Sequence, residues 1–270
     1  MDPYAADVSA YGGWRGPGGA ERDADGVRQG SHRARTVRRA GVTSQRGAED
    51  VQPRASLLGD SICNSPGYSF GSGGYAPVVA VRLRDRGITV EPYRASGWST
   101  RQFLESLGAG ELPSTVDLIH FNVGLHDIAR QDEESECAVP LDEYERNLRA
   151  IVALFQAGHP AELVWASTTP VLDARHQRAK RSVRRDEDVR RYNQVATAVM
   201  RELQVAEHDL YTVLRRAKLE VVLGPDGVHP STAGRELLVT AVSDLLWARL
   251  GRQAAGAGQL PPSDRHGDPS

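Results

Sequence analysis

Short apolar runs alternate with amphipathic helical patterns through the middle of this sequence. The runs are typical of buried strands and lie at 55–58, 89–94, 116–123, 163–167 and 208–211. Between the third and fourth runs, Tyr144, Leu148, Ile151 and Phe155 have the spacing of one helix face, and similar stripes begin at Val189 and Val239. Strands that alternate with helices form βαβ units. We therefore predict an α/β fold with a mostly parallel five-stranded sheet covered on both faces.

The alternation is confined to the middle of the 270 residues. Residues 1–53 are a mixture of Gly, Arg, Asp and Ala without apolar periodicity, and such a segment cannot bury enough surface to offset its ordering entropy. Residues 252–270 are similarly rich in Gly, Pro and polar side chains. We therefore predict a disordered N-terminal extension over 1–53, one folded domain over 54–251 and a disordered tail over 252–270.

The composition argues against several classes of partner. The net charge is −2, whereas binding to nucleic-acid phosphates needs a positive excess, so we expect no nucleic-acid partner. No apolar run approaches the length of a membrane span, and the N-terminal residues lack the apolar core of a signal peptide. We therefore expect a cytoplasmic protein in which Cys63 and Cys137 are free thiols.

The first strand ends in Gly59-Asp60-Ser61. In open α/β sheets, active sites gather at the carboxyl ends of the strands. A Ser on a tight turn there exposes its hydroxyl and places its own N–H near a reacting carbon, and Gly59 can supply the backbone freedom for such a turn. Ser and Asp are also common helix N-caps. The tripeptide alone therefore fits either a nucleophile or a cap.

Polar residues also accompany the next two strands. Gly97 follows the second strand and can either turn a backbone N–H towards the same cleft or serve as an ordinary turn glycine. On the third strand, His120, Asn122 and Gly124 share one face by alternation, and His126-Asp127 follow its end. Buried polar groups need partners, so a structural hydrogen-bond network explains His120 as well as a catalytic role does.

The last loop carries Asp226 and His229 three residues apart, directly before the final amphipathic pattern. A catalytic triad needs a base within hydrogen-bond reach of the nucleophile and an acid that orients the imidazole. One short turn framed by Gly and Pro can present both groups. A lone Asp-x-x-His is weak evidence by itself, because any loop that contains both residues would match.

Taken in order, these blocks resemble the SGNH (GDSL) hydrolase family. The resemblance rests on Gly59-Asp60-Ser61, Gly97, Gly124-Leu125-His126-Asp127 and Asp226-Gly227-Val228-His229-Pro230, and it spans about 56–250. It implies a flavodoxin-like three-layer α/β/α sandwich and a metal-free esterase or acylhydrolase that acts on a small-molecule or carbohydrate ester. It also implies Ser61 as nucleophile, His229 as general base and Asp226 as its orienting carboxylate. The implied oxyanion hole consists of the N–H groups of Ser61 and Gly97 and a side chain of the third block.

The third block departs from the family pattern Gly-x-Asn-Asp, because His126 occupies the Asn position. An Asn amide always offers a donor, whereas a neutral His donates only from the nitrogen that carries the proton. His126 can still donate to the oxyanion, or Asn122 can replace it from the strand. Loss of one oxyanion donor typically costs about 10²–10³ in kcat.

Other functions compete on the residues alone. A catalytically weak or silent relative would serve as a binding protein, and the His126 departure motivates this alternative. A metal-dependent phosphohydrolase on His126 and Asp127 would need more His or Asp ligands than the neighbouring segments supply. A flavin binder would need several phosphate donors directly after the first strand, where the glycines come too late. We therefore expect no metal and no cofactor, with lysophospholipase and thioesterase activities as alternatives within the family.

A basic run follows the fourth strand, with eight Lys and Arg side chains between Arg175 and Arg191. Asp186-Glu187-Asp188 interrupt the run, which favours a solvated helix surface. The functional alternative is a rim that attracts an anionic substrate, against which the acidic loop at 131–136 argues.

Overall fold

A computed structural model describes residues 52–65, 73–94, 97–110, 115–158 and 160–257. Apart from 52–53 and 252–257, the segments predicted to be disordered, 1–53 and 252–270, lie outside these described residues. Within them, five strands form a single sheet. The strands are β1 (Arg54–Gly59), β2 (Thr89–Arg94), β3 (Leu118–Asn122), β4 (Glu162–Ala166) and β5 (Ala206–His208).

The sheet is parallel at every pairing, and its strand order is β2-β1-β3-β4-β5. This is the doubly wound order of flavodoxin-like folds, in which the connections reverse direction between β1 and β3. Ser56 pairs with Ile119 and Gly59 with Asn122, so β1 and β3 end side by side. A crevice therefore opens at the carboxyl ends of these two strands, where the predicted Ser61 and His126 turns begin.

Helices occupy the connections between the strands. They are α1 (Ser61–Asn64), α2 (Ala76–Arg84), α3 (Thr100–Gly108), α4 (Leu141–Gly158), α5 (Asp173–Ala179), α6 (Asp186–Glu202), α7 (Leu210–Arg215), α8 (Leu219–Val222) and α9 (Thr232–Ala257). α3, α4 and α6 pack in one group, and α2, α7, α8 and α9 in another. The predicted flavodoxin-like three-layer α/β/α sandwich is confirmed.

The core lies where the apolar patterns place it. Every residue of β3 is buried, as expected for a central parallel strand. The stripe Tyr144, Leu148, Ile151 and Phe155 is buried on α4, and Asp142 and Glu143 stand in the first turn of that helix, where its dipole favours acids. The later stripes that begin at Val189 and Val239 are buried as well.

Two boundaries differ from the sequence prediction. The strand predicted at 208–211 is wrong, because β5 ends at His208 and α7 begins at Leu210. Asp209 causes this change: its carboxylate accepts a hydrogen bond from Thr212 N (2.9 Å) and so caps the helix directly after the strand. The final helix also continues to Ala257, past the predicted domain end at 251. The sequence of this extension contains Arg252, Gln253 and three Ala residues, all with high helix propensity.

Candidate active site

The turn after β1 separates the two roles that the Gly-Asp-Ser tripeptide suggested. Asp60 is the N-cap of α1, and its Oδ1 accepts from Ile62 N (2.9 Å). Ser61 is the first residue of that helix, and its Oγ lies 2.8 Å from Nε2 of His229, 168 residues away in the sequence. Asp60 therefore caps the helix, and the Ser61 hydroxyl is left to pair with the imidazole.

Gly59 is required for a different reason from the predicted one. Its backbone does not have positive φ, so the turn does not depend on glycine's conformational freedom. A Cβ at this position would lie 2.6 Å from Cβ of Cys63. Gly59 is therefore the residue that lets α1 pack directly against the end of β1.

The last loop brings Asp226 and His229 together. Asp226 Oδ2 lies 2.6 Å from His229 Nδ1, while Oδ1 accepts from the backbone N–H groups of Val228 (3.1 Å) and His229 (3.0 Å). A carboxylate only accepts, so Nδ1 of a neutral His229 carries the proton and Nε2 is free to accept from Ser61 Oγ. The three side chains form one continuous hydrogen-bonded chain.

Asp226 stays ionised in this arrangement. Burial by itself raises the pKa of its carboxyl, but the hydrogen bond and charge of His229, with the two backbone N–H groups, outweigh burial and lower the pKa to about 2. An ionised carboxylate at neutral pH holds the imidazole in one orientation and stabilises its cation when a proton arrives.

The third block forms a tight turn beside β3. Gly124 has φ +143°, and a Cβ at this residue would overlap Thr168 Oγ1. His126 is partly buried in this turn, and its buried Nε2 has no hydrogen-bond partner among the described residues. Burial, together with the charges of Arg184 and His229, lowers the pKa of His126 to about 4, so its ring is neutral at neutral pH.

Asp127 is hydrogen-bonded to the first residue of α3. Its carboxylate accepts from the backbone N of Thr100 (3.0 and 3.1 Å) and from Thr100 Oγ1 (2.5 Å), at the start of α3. Burial raises the pKa of Asp127 to about 6, against the effect of these hydrogen bonds. Gly97, exposed and with φ +83°, lies just upstream of the anchored Thr100, so Asp127 fixes the segment that follows Gly97.

The two polar residues on β3 are occupied elsewhere. Asn122 Nδ2 donates to the carbonyls of Ala166 (3.2 Å) and Ser167 (3.3 Å), which joins the ends of β3 and β4. His120 is fully buried, and its Nε2 lies 3.1 Å from Nδ1 of His208 on β5. The structure therefore does not bring the Asn122 amide to Ser61, and it places His120 in a buried histidine pair.

The part of the chain that the structure describes contains no group of three or more His, Cys, Asp or Glu side chains arranged to hold a metal ion. Its helices are each too short or too polar to span a bilayer. Cys63 is buried, and Cys137 is partly buried.

Comparison with known proteins shows which family the chain belongs to. The model of the GDSL-like lipase/acylhydrolase family matches residues 57–237, from β1 through the Asp226 and His229 turn. The chain belongs to this family. The predicted resemblance is therefore confirmed, and with it the general class of esterase or acylhydrolase.

Two curated relatives of this GDSL-like hydrolase are isoamyl acetate-hydrolyzing esterase 1 homologs. The protein from Rattus norvegicus is 30% identical over 231 residues, which cover 80% of this chain and 88% of the relative. The protein from Mus musculus is 32% identical over 217 residues, which cover 74% and 84%.

Solved structures share the fold at lower identity. The lipase/acylhydrolase from Enterococcus faecalis superposes with a TM-score of 0.58 at 18% identity and covers 73% of this chain and 97% of its own. An acetylxylan esterase from Geobacillus stearothermophilus superposes with a TM-score of 0.54 at 21% identity and covers 75% and 94%.

Two residues beside the site of this GDSL-like hydrolase were not singled out from the sequence. Arg184 belongs to the basic run that was interpreted as a solvated surface, yet it is partly buried, and its Nε donates to Leu125 O (2.9 Å). His176 is 1% exposed on α5, and its Nδ1 lies 3.1 Å from Asp226 O. No periodicity marks either residue, because neither contributes to an apolar stripe.

Proposed function

We propose that this protein is a serine esterase that hydrolyses small acyl esters, acetyl or other short-chain esters first among them, through an acyl-enzyme on Ser61. The observation that carries the proposal is the hydrogen-bonded chain from Ser61 Oγ to His229 Nε2 and from His229 Nδ1 to Asp226. This chain has the nucleophile, base and orienting acid that acyl transfer needs, in the right order.

The reaction follows from where the protons lie. Ser61 Oγ attacks the ester carbonyl while its proton passes to Nε2 of His229, and the new cation is stabilised by Asp226. The C–O bond to the alcohol then breaks as Nε2 returns that proton to the leaving oxygen. Water then attacks the acyl carbon and gives a proton to Nε2. The bond from that carbon to Ser61 Oγ breaks as Nε2 returns the proton to Oγ, which releases the carboxylic acid and restores the Ser61 hydroxyl.

The tetrahedral intermediate needs donors for its oxyanion. We assign this role to the backbone N–H groups of Ser61 and Gly97 and to the ring of His126. Two observations support His126. Its Nε2 is a buried polar atom with no hydrogen-bond partner in the described segments, and the charge of His229 acts on its ring. An unpaired buried polar atom costs stability, and a hydrogen bond to the oxyanion during the reaction would explain why it is retained.

The acetyl preference is supported by the relatives. The two mammalian proteins are named for hydrolysis of isoamyl acetate, and one structural neighbour is titled an acetylxylan esterase. A series of p-nitrophenyl esters of increasing acyl length therefore should give the highest kcat/KM at the acetyl or another short ester. An optimum at long chains would instead support a lysophospholipase.

The proposal is tested by Ser61→Ala on p-nitrophenyl acetate. Removal of the nucleophile should lower kcat by about 10⁴–10⁶-fold, because only binding and the oxyanion donors remain. The matched control is Ser243→Ala on α9, which removes the same atom from another buried serine whose Oγ has no partner in the described residues. Turnover by Ser61→Ala at the wild-type rate would refute the proposal and favour a silent binding protein with a contaminating activity.

A further inference from the structure

Arg184 contacts the third block from outside it. This residue lies shortly before α6, is partly buried, and donates from Nε to Leu125 O, the carbonyl that precedes His126 (2.9 Å). Its Nη1 lies 3.5 Å from Nε2 of His176. No Asp or Glu carboxylate in the described ranges forms an ion pair with it, although Asp60 and Asp226 act on its charge from further away. The guanidinium therefore donates to a backbone carbonyl, to an imidazole and, at 3.4 Å, to the hydroxyl of Ser182.

His176 contacts the catalytic loop from the other side. Its Nδ1 lies 3.1 Å from the carbonyl oxygen of Asp226. A carbonyl only accepts and a guanidinium only donates, so Nδ1 must carry the proton and Nε2 must be the acceptor for Arg184. Burial lowers the pKa of His176, and the charges of Arg184 and Lys180 lower it further, while the hydrogen bond to the Asp226 carbonyl and the Asp226 charge oppose them. The lowered pKa thus favours the neutral ring, and the geometry sets its tautomer.

The loop that carries Asp226 is fitted closely to α5. Leu172 N donates to Gly227 O (2.8 Å) at the start of that helix. Gly227 has φ +72°, and a Cβ there would lie 2.7 Å from Leu172 O and 2.8 Å from His176 N. Only glycine fits this contact. The position of His176 is therefore coupled directly to the position of the Asp226 turn.

We propose that Arg184 and His176 are positioning residues that hold the turn carrying Asp226 and His229 in register with the turn carrying His126. The path runs from Asp226 O through the His176 ring and the Arg184 guanidinium to Leu125 O, one residue before His126. This inference rests on the proposed function, because it concerns the alignment of the general base with the oxyanion donor. A displacement of about 1 Å in such an alignment costs on the order of 10²-fold in rate.

The test is a double-mutant cycle on p-nitrophenyl acetate with Arg184→Ala, His176→Phe and the double variant. Each single variant should lower kcat by about 10–100-fold with KM changed less than about threefold, since alignment and not ground-state binding is lost. The double variant should be no slower than the slower single variant, because either change breaks the same path. Losses that multiply in the double variant would overturn the proposal.

Chemical rescue separates positioning from general loss of structure. Guanidinium at low millimolar concentration should restore kcat of Arg184→Ala at least tenfold, and Arg184→Lys should recover less, because an ammonium cannot span both partners with a planar fork. Arg185→Ala is the matched control: the neighbouring residue forms an exposed ion pair with Glu133, so its loss should leave kcat unchanged and insensitive to guanidinium. Absence of rescue overturns the proposal.

Two further readouts keep the result unambiguous. If Arg184→Ala does not fold, as judged by circular dichroism, His176→Gln and His176→Asn carry the test. His176→Gln keeps an acceptor towards Arg184 and His176→Asn keeps a donor towards Asp226 O, so each should be slower than wild type, and wild-type kcat in both overturns the proposal. Failure of the proposed function itself would appear separately, as activity that does not depend on Ser61.

Discussion

Asp226→Asn exchanges one oxygen for an NH₂ group and should abolish most of the activity without a change of shape. The reason lies in the surroundings of the two carboxylate oxygens. Oδ1 accepts from two backbone N–H groups, of Val228 and His229, so only the Asn carbonyl oxygen can take that position. The NH₂ group is then forced to the Oδ2 position, which lies 2.6 Å from His229 Nδ1.

This orientation reverses the tautomer of His229. The Asn NH₂ donates, so Nδ1 must accept, and the proton of a neutral ring moves to Nε2, which faces Ser61 Oγ at 2.8 Å. A protonated Nε2 cannot take the hydroxyl proton. In a Ser-His-Asp triad a wrong tautomer of this kind costs about 10⁴ in kcat, which corresponds to about 5 kcal/mol of activation free energy.

The assay is kcat for p-nitrophenyl acetate at neutral pH, with circular dichroism to verify the fold. Asp209→Asn is the matched control, because Asp209 also accepts from a backbone N–H but caps α7 outside the site. It should keep wild-type kcat. A kcat of folded Asp226→Asn within about tenfold of wild type would refute the assignment of Asp226 as the orienting acid.

Three further predictions concern other residues. Burial lowers the pKa of His120 to about 3 and of His208 to about 4, so between pH 4 and 6.5 these two histidines bind more protons in the unfolded chain than in the folded one. Their contribution to the free energy of unfolding should therefore fall as pH decreases through that window, by up to about 1.4 kcal/mol per pH unit for each histidine, while the raised pKa of Asp127 acts in the opposite direction. When the pH is lowered, wild type should lose more stability than His208→Asn in urea titrations, and an equal change in both proteins would contradict this. Gly124→Ala should lower the free energy of unfolding by about 1–3 kcal/mol, because the residue has positive φ and the new Cβ would overlap Thr168. Gly108→Ala is the control and should not lower it, because the space at its Cβ is open. Equal urea midpoints for the two variants would contradict the packing argument. His126→Phe should lower kcat by about 10²–10³-fold and His126→Asn should keep most of it, because only Asn replaces the donor; equal rates in the two variants would remove His126 from the oxyanion hole.

The fold was predictable because it depends on repeating patterns. Each predicted helix stripe, such as Tyr144 to Phe155, is a periodic signal that burial selects directly. The contact between Ser61 and His229 across 168 residues was foreseen through the family resemblance, because His229 follows α8 and not a strand. The first inference uses a general property of the architecture, and the second uses the order of the sequence motifs.

The details that could not be predicted depend on contacts between individual residues and not on a repeating pattern. Asn122 was a candidate oxyanion donor until the register of β3 and β4 placed its amide against the carbonyls of Ala166 and Ser167. Asp60 and Ser61 could not be assigned separately as cap and hydroxyl, since both residue types cap helices. Arg184 could not be distinguished from its solvated neighbours, because the sequence of a run of charged residues does not show which arginine is partly buried.

Mass spectrometry can show whether Ser61 forms a covalent bond to the reacting group. The protein is treated with a fluorophosphonate probe, and the adduct is located by peptide mapping. We expect stoichiometric labelling on Ser61, lost in Ser61→Ala and slowed strongly in Asp226→Asn. An active protein that carries the label on another residue, or carries none, would contradict it.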